Sequence, residues 1–182
     1  LPELMDVTVG YRPGQQNKGS VFWFTARMGR VGTGYSNAQP AIPSTDDAKD
    51  LLNRVRGIAP RKRGLLVEDN LVNQTVMLKL LQSLEFERID VAGDGAEAVR
   101  QVKQTPLSYN VVLMDISMPV TDGLEATSQI RGMGIDVPIV ALTANALKGD
   151  METYLANGMN DYIGKPVNRD QLLQVLWKWI GA

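Results

Sequence analysis

Histidine and cysteine are both absent from these 182 residues. Without cysteine there are no disulfides and no thiolate metal sites, which fits a reducing cytoplasm. Without histidine the usual general base, the commonest zinc ligand and any phosphohistidine within the chain are excluded, so proton or phosphoryl chemistry must run on carboxylates, lysine and hydroxyls. Net charge is almost absent too. Nineteen Lys and Arg against twenty Asp and Glu give −1, which offers no electrostatic case for nucleic acid or an anionic membrane surface. Long apolar runs are also missing. The run from Val137 to Leu142 has six residues and contains Pro138, far short of the roughly 20 needed to cross a bilayer. The opening Leu1-Pro2-Glu3 carries no basic-then-apolar leader, so the expectation is a soluble piece of a longer chain.

The chain divides by pattern into three parts. Residues 1–28 hold two extended segments, Asp6 to Tyr11 and Ser20 to Arg27, flanking the turn "RPGQQNKGS", which predicts a β-hairpin. A lone hairpin is marginal in water, and Phe22, Trp23 and Phe24 need something to pack on, a second copy in a homodimer being one candidate. Residues 29–60 read as a linker: Gly, Ser, Asn, Gln and Pro dominate as far as Pro43, followed by a short helix over Thr45 to Arg56 capped by Ser44 or Thr45. From 61 to 182 apolar strands alternate with helical segments. Strands at 65–67, 89–92, 111–114, 138–142 and 161–164 each precede a helix, at about 70–84, 95–104, 123–131, 146–156 and 169–181. Five βα units in series predict a doubly wound, parallel five-stranded (βα)5 sheet with helices on both faces. The last helix opens with the capping box Asn168 and Gln171 and places Leu172, Leu173, Leu176, Trp179 and Ile180 on one apolar stripe.

In such sheets ligands bind at the carboxyl ends of the strands, near the point where strand order reverses. Glu68 and Asp69 follow the first strand, Asp115 the third, Thr143 the fourth, and Lys165 with Pro166 the fifth. Each alone is as well explained by capping or solvation. Together they bring three carboxylates, a hydroxyl and an ammonium to one edge from about a hundred positions of sequence. Close carboxylates raise one another's pKa unless a cation sits among them, and an all-oxygen set suits Mg²⁺. The buried run Val111 to Met114 would then hold Asp115 rigidly as a nucleophile for phosphorus, giving an aspartyl phosphate.

The segments "LLVEDN", "VLMDISMPVTDG", "ALTANA" and "GMNDYIGKPV" occur in this order and spacing. Residues 63–181 thereby resemble the receiver (response-regulator) domain of bacterial two-component signalling, with a flavodoxin-like fold. The resemblance implies that Asp115 accepts the phosphoryl group, that Asp69 and Asp115 bind Mg²⁺ directly, that Glu68 does so through water, and that the backbone carbonyl of Ser117 adds a ligand. It implies contacts of Lys165 and Thr143 to the phosphoryl oxygens and a cis bond before Pro166. It also implies a switch in which Thr143 moves inward and Tyr162 rotates into the vacated space, altering the last two helices and the strand between them. The stretch "RPGQQNKGSVFWFTARM" is similar to the closing strands of the ATP-binding domain of sensor histidine kinases. Its asparagine-bearing helix and ATP lid are absent from the sequence, so no ATP binding is expected. That order, kinase end, linker, receiver, is what a hybrid sensor histidine kinase would show, and the resemblance implies a cytoplasmic segment of a parent that other segments would anchor in the inner membrane.

The expected function is therefore a phosphoacceptor switch in a phosphorelay. Because the chain has no histidine, its donor, a phosphohistidine-bearing kinase domain, and any onward histidine phosphotransfer protein lie outside it, and its only catalysis would be its own phosphorylation and dephosphorylation. The alternative is a scaffold that docks partners without being phosphorylated, against which the complete set of acidic groups, Thr143 and Lys165 argues. An aspartyl-phosphate hydrolase would want a second Asp where Ser117 stands, and "GDGAEA" has the wrong glycine spacing for dinucleotides.

Overall fold

The computed structural model describes residues 7–13, 20–26, 45–106, 108–144 and 148–181. The chain forms two compact units, Leu1–Ile42 and Pro43–Ala182. In the first, β1 (Val7–Pro13) and β2 (Ser20–Ala26) pair antiparallel from Val7 opposite Ala26 to Pro13 opposite Ser20. β1 thus runs two residues past its expected end at Tyr11. The side chains of Phe22, Trp23 and Phe24, and with them the homodimer expectation, lie outside the described residues, as do Gly29 to Pro43 of the linker.

The second unit starts with α1 (Thr45–Ile58) and a 3-10 turn, Ala59–Arg61. It then alternates β3 (Arg63–Val67), α2 (Leu71–Gln82), β4 (Arg88–Ala92), α3 (Gly95–Gln104), β5 (Val111–Asp115) and α4 (Gly123–Gly132). It ends with β6 (Ile139–Thr143), α5 (Lys148–Ala156), β7 (Asp161–Gly164) and α6 (Arg169–Ile180). The strands pair in parallel in the order β4-β3-β5-β6-β7. This is the doubly wound flavodoxin-like order, whose reversal point lies between β3 and β5.

Residue alternation along the strands divides the core in two. Leu66, Leu113, Val140, Leu142 and Ile163 pack with Met77 and Leu81 of α2 and Leu172, Leu173 and Leu176 of α6. Leu65, Val67, Val112, Met114, Ile139 and Ala141 pack on the other face with Ala98 of α3, Ala126 and Ile130 of α4, and Tyr154 of α5. β5 and β6 are buried along their whole length, as strands covered on both faces must be.

The helix expected inside the linker does more than connect. Val55 of α1 is fully buried in the first core, Leu51, Leu52 and Ile58 pack at its edge, and the Arg54 guanidinium lies 5.8 Å from the centre of the Trp177 ring on α6. The nε of Arg56 donates to the carbonyl of Ser83 at 3.0 Å. An amphipathic helix next to an apolar groove is held there by burial, so this compact unit begins well before residue 61.

Trp179 is half-buried rather than a core member, with Nε1 donating to Asp161 at 2.9 Å, while Lys178 Nζ lies 2.7 Å from the same carboxylate. Burial alone would raise the Asp161 pKa, but these donors outweigh it and hold the carboxyl below its ordinary value. Its stabilising effect is therefore present above the ordinary carboxylate range and lost as pH falls through the lowered folded value. Asp161→Asn is expected to lose about 1–2 kcal/mol near neutral pH, since Lys178 is solvent-screened, and to flatten the acid limb of a stability profile measured by urea denaturation.

Candidate functional site

The βα connections on the carboxyl edge of the sheet carry the candidate residues, and helix capping sorts their polar groups. Asn70 caps α2 by accepting from Val72 N and Asn73 N, and Asp94 and Asp122 cap α3 and α4 through Glu97 N and Glu125 N. These two carboxylates are thereby committed to helix starts. Glu68, Asp69 and Asp115 remain, and one oxygen of each falls within a 4.8 Å cluster.

Glu68 directly follows β3 and is 1% exposed, yet both its oxygens have partners. Oε1 accepts from Asn73 Nδ2 at 2.9 Å and from Asn70 N at 3.3 Å, and Oε2 accepts from Lys165 Nζ at 2.7 Å. Gln74 Nε2 also reaches back to the Glu68 carbonyl at 2.6 Å. Asp115, the last residue of β5, is 4% exposed; its Oδ1 accepts from Ser117 N at 3.1 Å and its Oδ2 is 2.7 Å from Lys165 Nζ. Asp69 is exposed beside them.

Lys165 thus bridges two buried carboxylates. Its own backbone N–H donates to the Thr143 carbonyl at 2.7 Å, and its bond to Pro166 is cis. Burial works against the Lys165 charge, but Asp115 and Glu68 overcome it and raise the pKa. Asp115 is pushed up chiefly by burial, with Glu68 adding to the rise, while Lys165 and the Ser117 N–H oppose it. Three acidic side chains against one ammonium leave a net negative rim, and the all-oxygen donor set fits a hard divalent cation such as Mg²⁺.

The loop from Ser117 to Asp122 leaves the site directly after Asp115, held to it through Ser117 N. Val120 has φ +72° and is 89% exposed, an unfavourable left-handed conformation for a β-branched residue. Thr121 N donates to the Pro119 carbonyl at 2.9 Å across it, and Gly123 N to the Ile116 carbonyl at 3.1 Å.

Residues 65–176 match the response regulator receiver domain, more than half of the chain. The chain belongs to this family. As a receiver domain it is a phosphorelay component of two-component signalling. Over all 182 residues it is 59% identical to Two-component system protein A of Emericella nidulans, of whose length it spans 27%. The receiver domain of sensor histidine kinase PA1611 from Pseudomonas aeruginosa, solved with a magnesium ion in its active-site cleft, superposes with a TM-score of 0.60 at 49% identity. That match covers 66% of this chain and 98% of the other. The receiver domain of Ssk1, co-crystallised with the histidine phosphotransfer protein Ypd1 of Saccharomyces cerevisiae, superposes with a TM-score of 0.61 at 32% identity, covering 66% and 89%.

Two partners of the site, Asn73 and Tyr154, are not among the residues the sequence singles out. Thr143, 3% exposed at the end of β6, has its hydroxyl 2.8 Å from that of Tyr154 on α5. Tyr162, the aromatic expected to respond to Thr143, is half-buried at the edge of the second core. Asn73, which orients Glu68, was signalled only by its place three residues after the Asn70 cap. For Tyr154 no sequence signal exists.

Proposed function

We propose that this receiver accepts a phosphoryl group on Asp115 from a phosphohistidine and passes it on or loses it to water. The observation that carries this reading is Lys165 Nζ at 2.7 Å from both Asp115 and Glu68, inside the three-carboxylate cluster. An oxygen of Asp115 attacks phosphorus as the bond from phosphorus to the donor's imidazole nitrogen breaks, the bonding pair leaving with the imidazole. Lys165, already charged and held in place, neutralises the phosphoryl oxygens, and Thr143 turns its hydroxyl toward them. Glu68, Asp69, Asp115 and the Ser117 carbonyl would hold Mg²⁺, which supplies charge neutralisation at the transferring group. Movement of Thr143 is then felt by Tyr162 and by the surface of α5, β7 and α6.

Docking partners fit the same edge. Leu71, Val72 and Val76 of α2, the helix that begins just after Glu68 and Asp69, are 74%, 71% and 54% exposed and give that helix an apolar border. A groove lined by Val76, Met77, Leu142, Pro166 and Val167 runs from α2 to Lys165. A histidine phosphotransfer protein with an apolar helical face suits this border, which would bring its histidine to Asp115. The parent reads as a hybrid sensor histidine kinase, with β1 and β2 as the end of its ATP-binding domain and the receiver in the cytoplasm. Among the described residues no helix is long and apolar enough to cross a membrane. A bacterial source has less support than a fungal one, since a relative aligned over all 182 residues is fungal.

The test is incubation with acetyl phosphate, with and without Mg²⁺, read by intact mass and peptide mapping. One phosphoryl adduct, dependent on Mg²⁺ and located at Asp115, is expected. An adduct elsewhere, or none on folded protein with several donors, sinks the reading and favours a docking scaffold.

A further inference from the structure

Resting on the reading of this receiver as an exchanger of phosphoryl groups with a histidine phosphotransfer protein, we infer that α1 and the start of α6 extend its docking groove, and that this extension takes a helix edged with acidic side chains. The groove beside Lys165 is lined by Val76 of α2. Val76 also lines a second depression, together with Lys79, Leu80 and the C-cap Ser83 of α2 and with Arg169 of α6. Residues 76, 79, 80 and 83 are spaced as neighbours on one helical face. Arg169 in turn lines a third hollow with Lys49 and Leu52 of α1 and Leu173 of α6. Shared residues thus string the three depressions from Lys165 to α1. α1 is fixed in its place there by the fully buried Val55 and by Arg56, whose Nε donates to the Ser83 carbonyl. It lies outside residues 65–176, the part that matches the family, so this end of the groove is a feature of this chain.

The charge along the second and third depressions is mostly of one sign. Lys49, Lys79 and Arg169 are all exposed, and none forms an ion pair among the described residues. Asp170 is the one acidic residue that lines either depression. Arg169 is also the first residue of α6, where the helix dipole favours an anion. Helix stability therefore does not account for that arginine, whereas recognition of a negative group does. Leu52, Val76 and Leu80 lie among the cations and suit the apolar side of a partner helix, while the cations suit acidic side chains at its edge.

The experiment uses phosphorylated Ypd1 of Saccharomyces cerevisiae as a protein donor and acetyl phosphate as a donor that needs no docking, both with Mg²⁺. Lys49→Glu, and separately Lys79→Glu combined with Arg169→Glu, are expected to slow labelling from Ypd1 about three- to thirtyfold at low salt, and the deficit should shrink as ionic strength rises. Labelling by acetyl phosphate should keep its wild-type rate in both, which also shows that the site is folded. Lys103→Glu on α3, a helix packed on the opposite face of the sheet, changes net charge as much as Lys49→Glu does and should leave both rates unchanged. Full-rate transfer from Ypd1 to Lys49→Glu overturns the inference, as does an equal loss in Lys103→Glu or a deficit that salt does not relieve. Wild type that reacts with acetyl phosphate but takes nothing from Ypd1 overturns it too, since the class of partner is then wrong. Wild type that takes no phosphoryl group from either donor refutes the Asp115 assignment instead, and the extended groove with it.

Discussion

Asp115→Asn is expected to lower phosphoryl uptake by a thousandfold or more, on the order seen when an enzyme loses its nucleophile, and to leave the fold intact. Asparagine has nearly the shape of aspartate and retains an oxygen to accept from Ser117 N, while Lys165 retains Glu68. Burial and Glu68 push the Asp115 pKa up, so its ionised form is disfavoured in the folded chain. A raised carboxyl pKa makes stability fall as pH rises through the ordinary range toward the folded value, and replacing the charge removes that loss. Without Mg²⁺ the variant should therefore melt at or slightly above the wild-type temperature near neutral pH. With Mg²⁺ the order should reverse, because the site has lost a carboxylate and the stabilisation from binding shrinks. Thermal melts with and without Mg²⁺, run beside the mass assay, check both halves. Surviving uptake would mean another acceptor, and a protein unfolded without Mg²⁺ would mean that Asp115 is needed for structure.

The parts of this molecule legible in sequence are those written in short-range pattern. Continuous apolar runs such as Val111 to Met114 revealed strands buried on both faces, and the turn residues around them revealed where helices begin. Because parallel strands all end on one edge, Glu68, Asp69, Asp115, Thr143 and Lys165 could be gathered without coordinates. Contacts made between elements were not legible. The amphipathic stripe of α1 predicts burial, but nothing in Leu51, Leu52 and Val55 says that the receiving surface is the first core, so that helix read as linker. Tyr154 is similar: its position on α5 is clear, but which side chain meets its hydroxyl depends on how α5 sits over β6. The source of the chain was not legible either, since strand ends and carboxylates obey the same physics in a fungus and a bacterium.

Gly123→Ala is expected to cost about 3–5 kcal/mol, near the top of the range for a single substitution. The reason is contact, not conformation, for Gly123 does not have a positive φ. A Cβ built there would run into the Asp115 carbonyl oxygen and lie 3.0 Å from its carbon and 3.0 Å from Met114 Cγ. Two of these atoms belong to the backbone of a fully buried strand and cannot swing aside. The alternative is to lift α4, which would break the bond from Gly123 N to the Ile116 carbonyl and disturb Asp122, whose side chain caps the helix through Glu125 N at 2.8 Å. Gly132, at the other end of α4, has nothing within 4 Å of its added Cβ. Gly132→Ala should be neutral or stabilise by about 0.5–1 kcal/mol through helix propensity. Urea denaturation of the two variants isolates the contact, because the chemical change and the helix are the same. A difference below about 1 kcal/mol would show that α4 is free to shift. In the folded fraction of Gly123→Ala, any displacement of the β5 terminus moves Asp115 itself, and a shift of about 1 Å can cost a hundredfold in rate. Phosphoryl uptake per folded molecule should therefore fall as well, which ties the close approach of α4 to the chemistry at the end of β5.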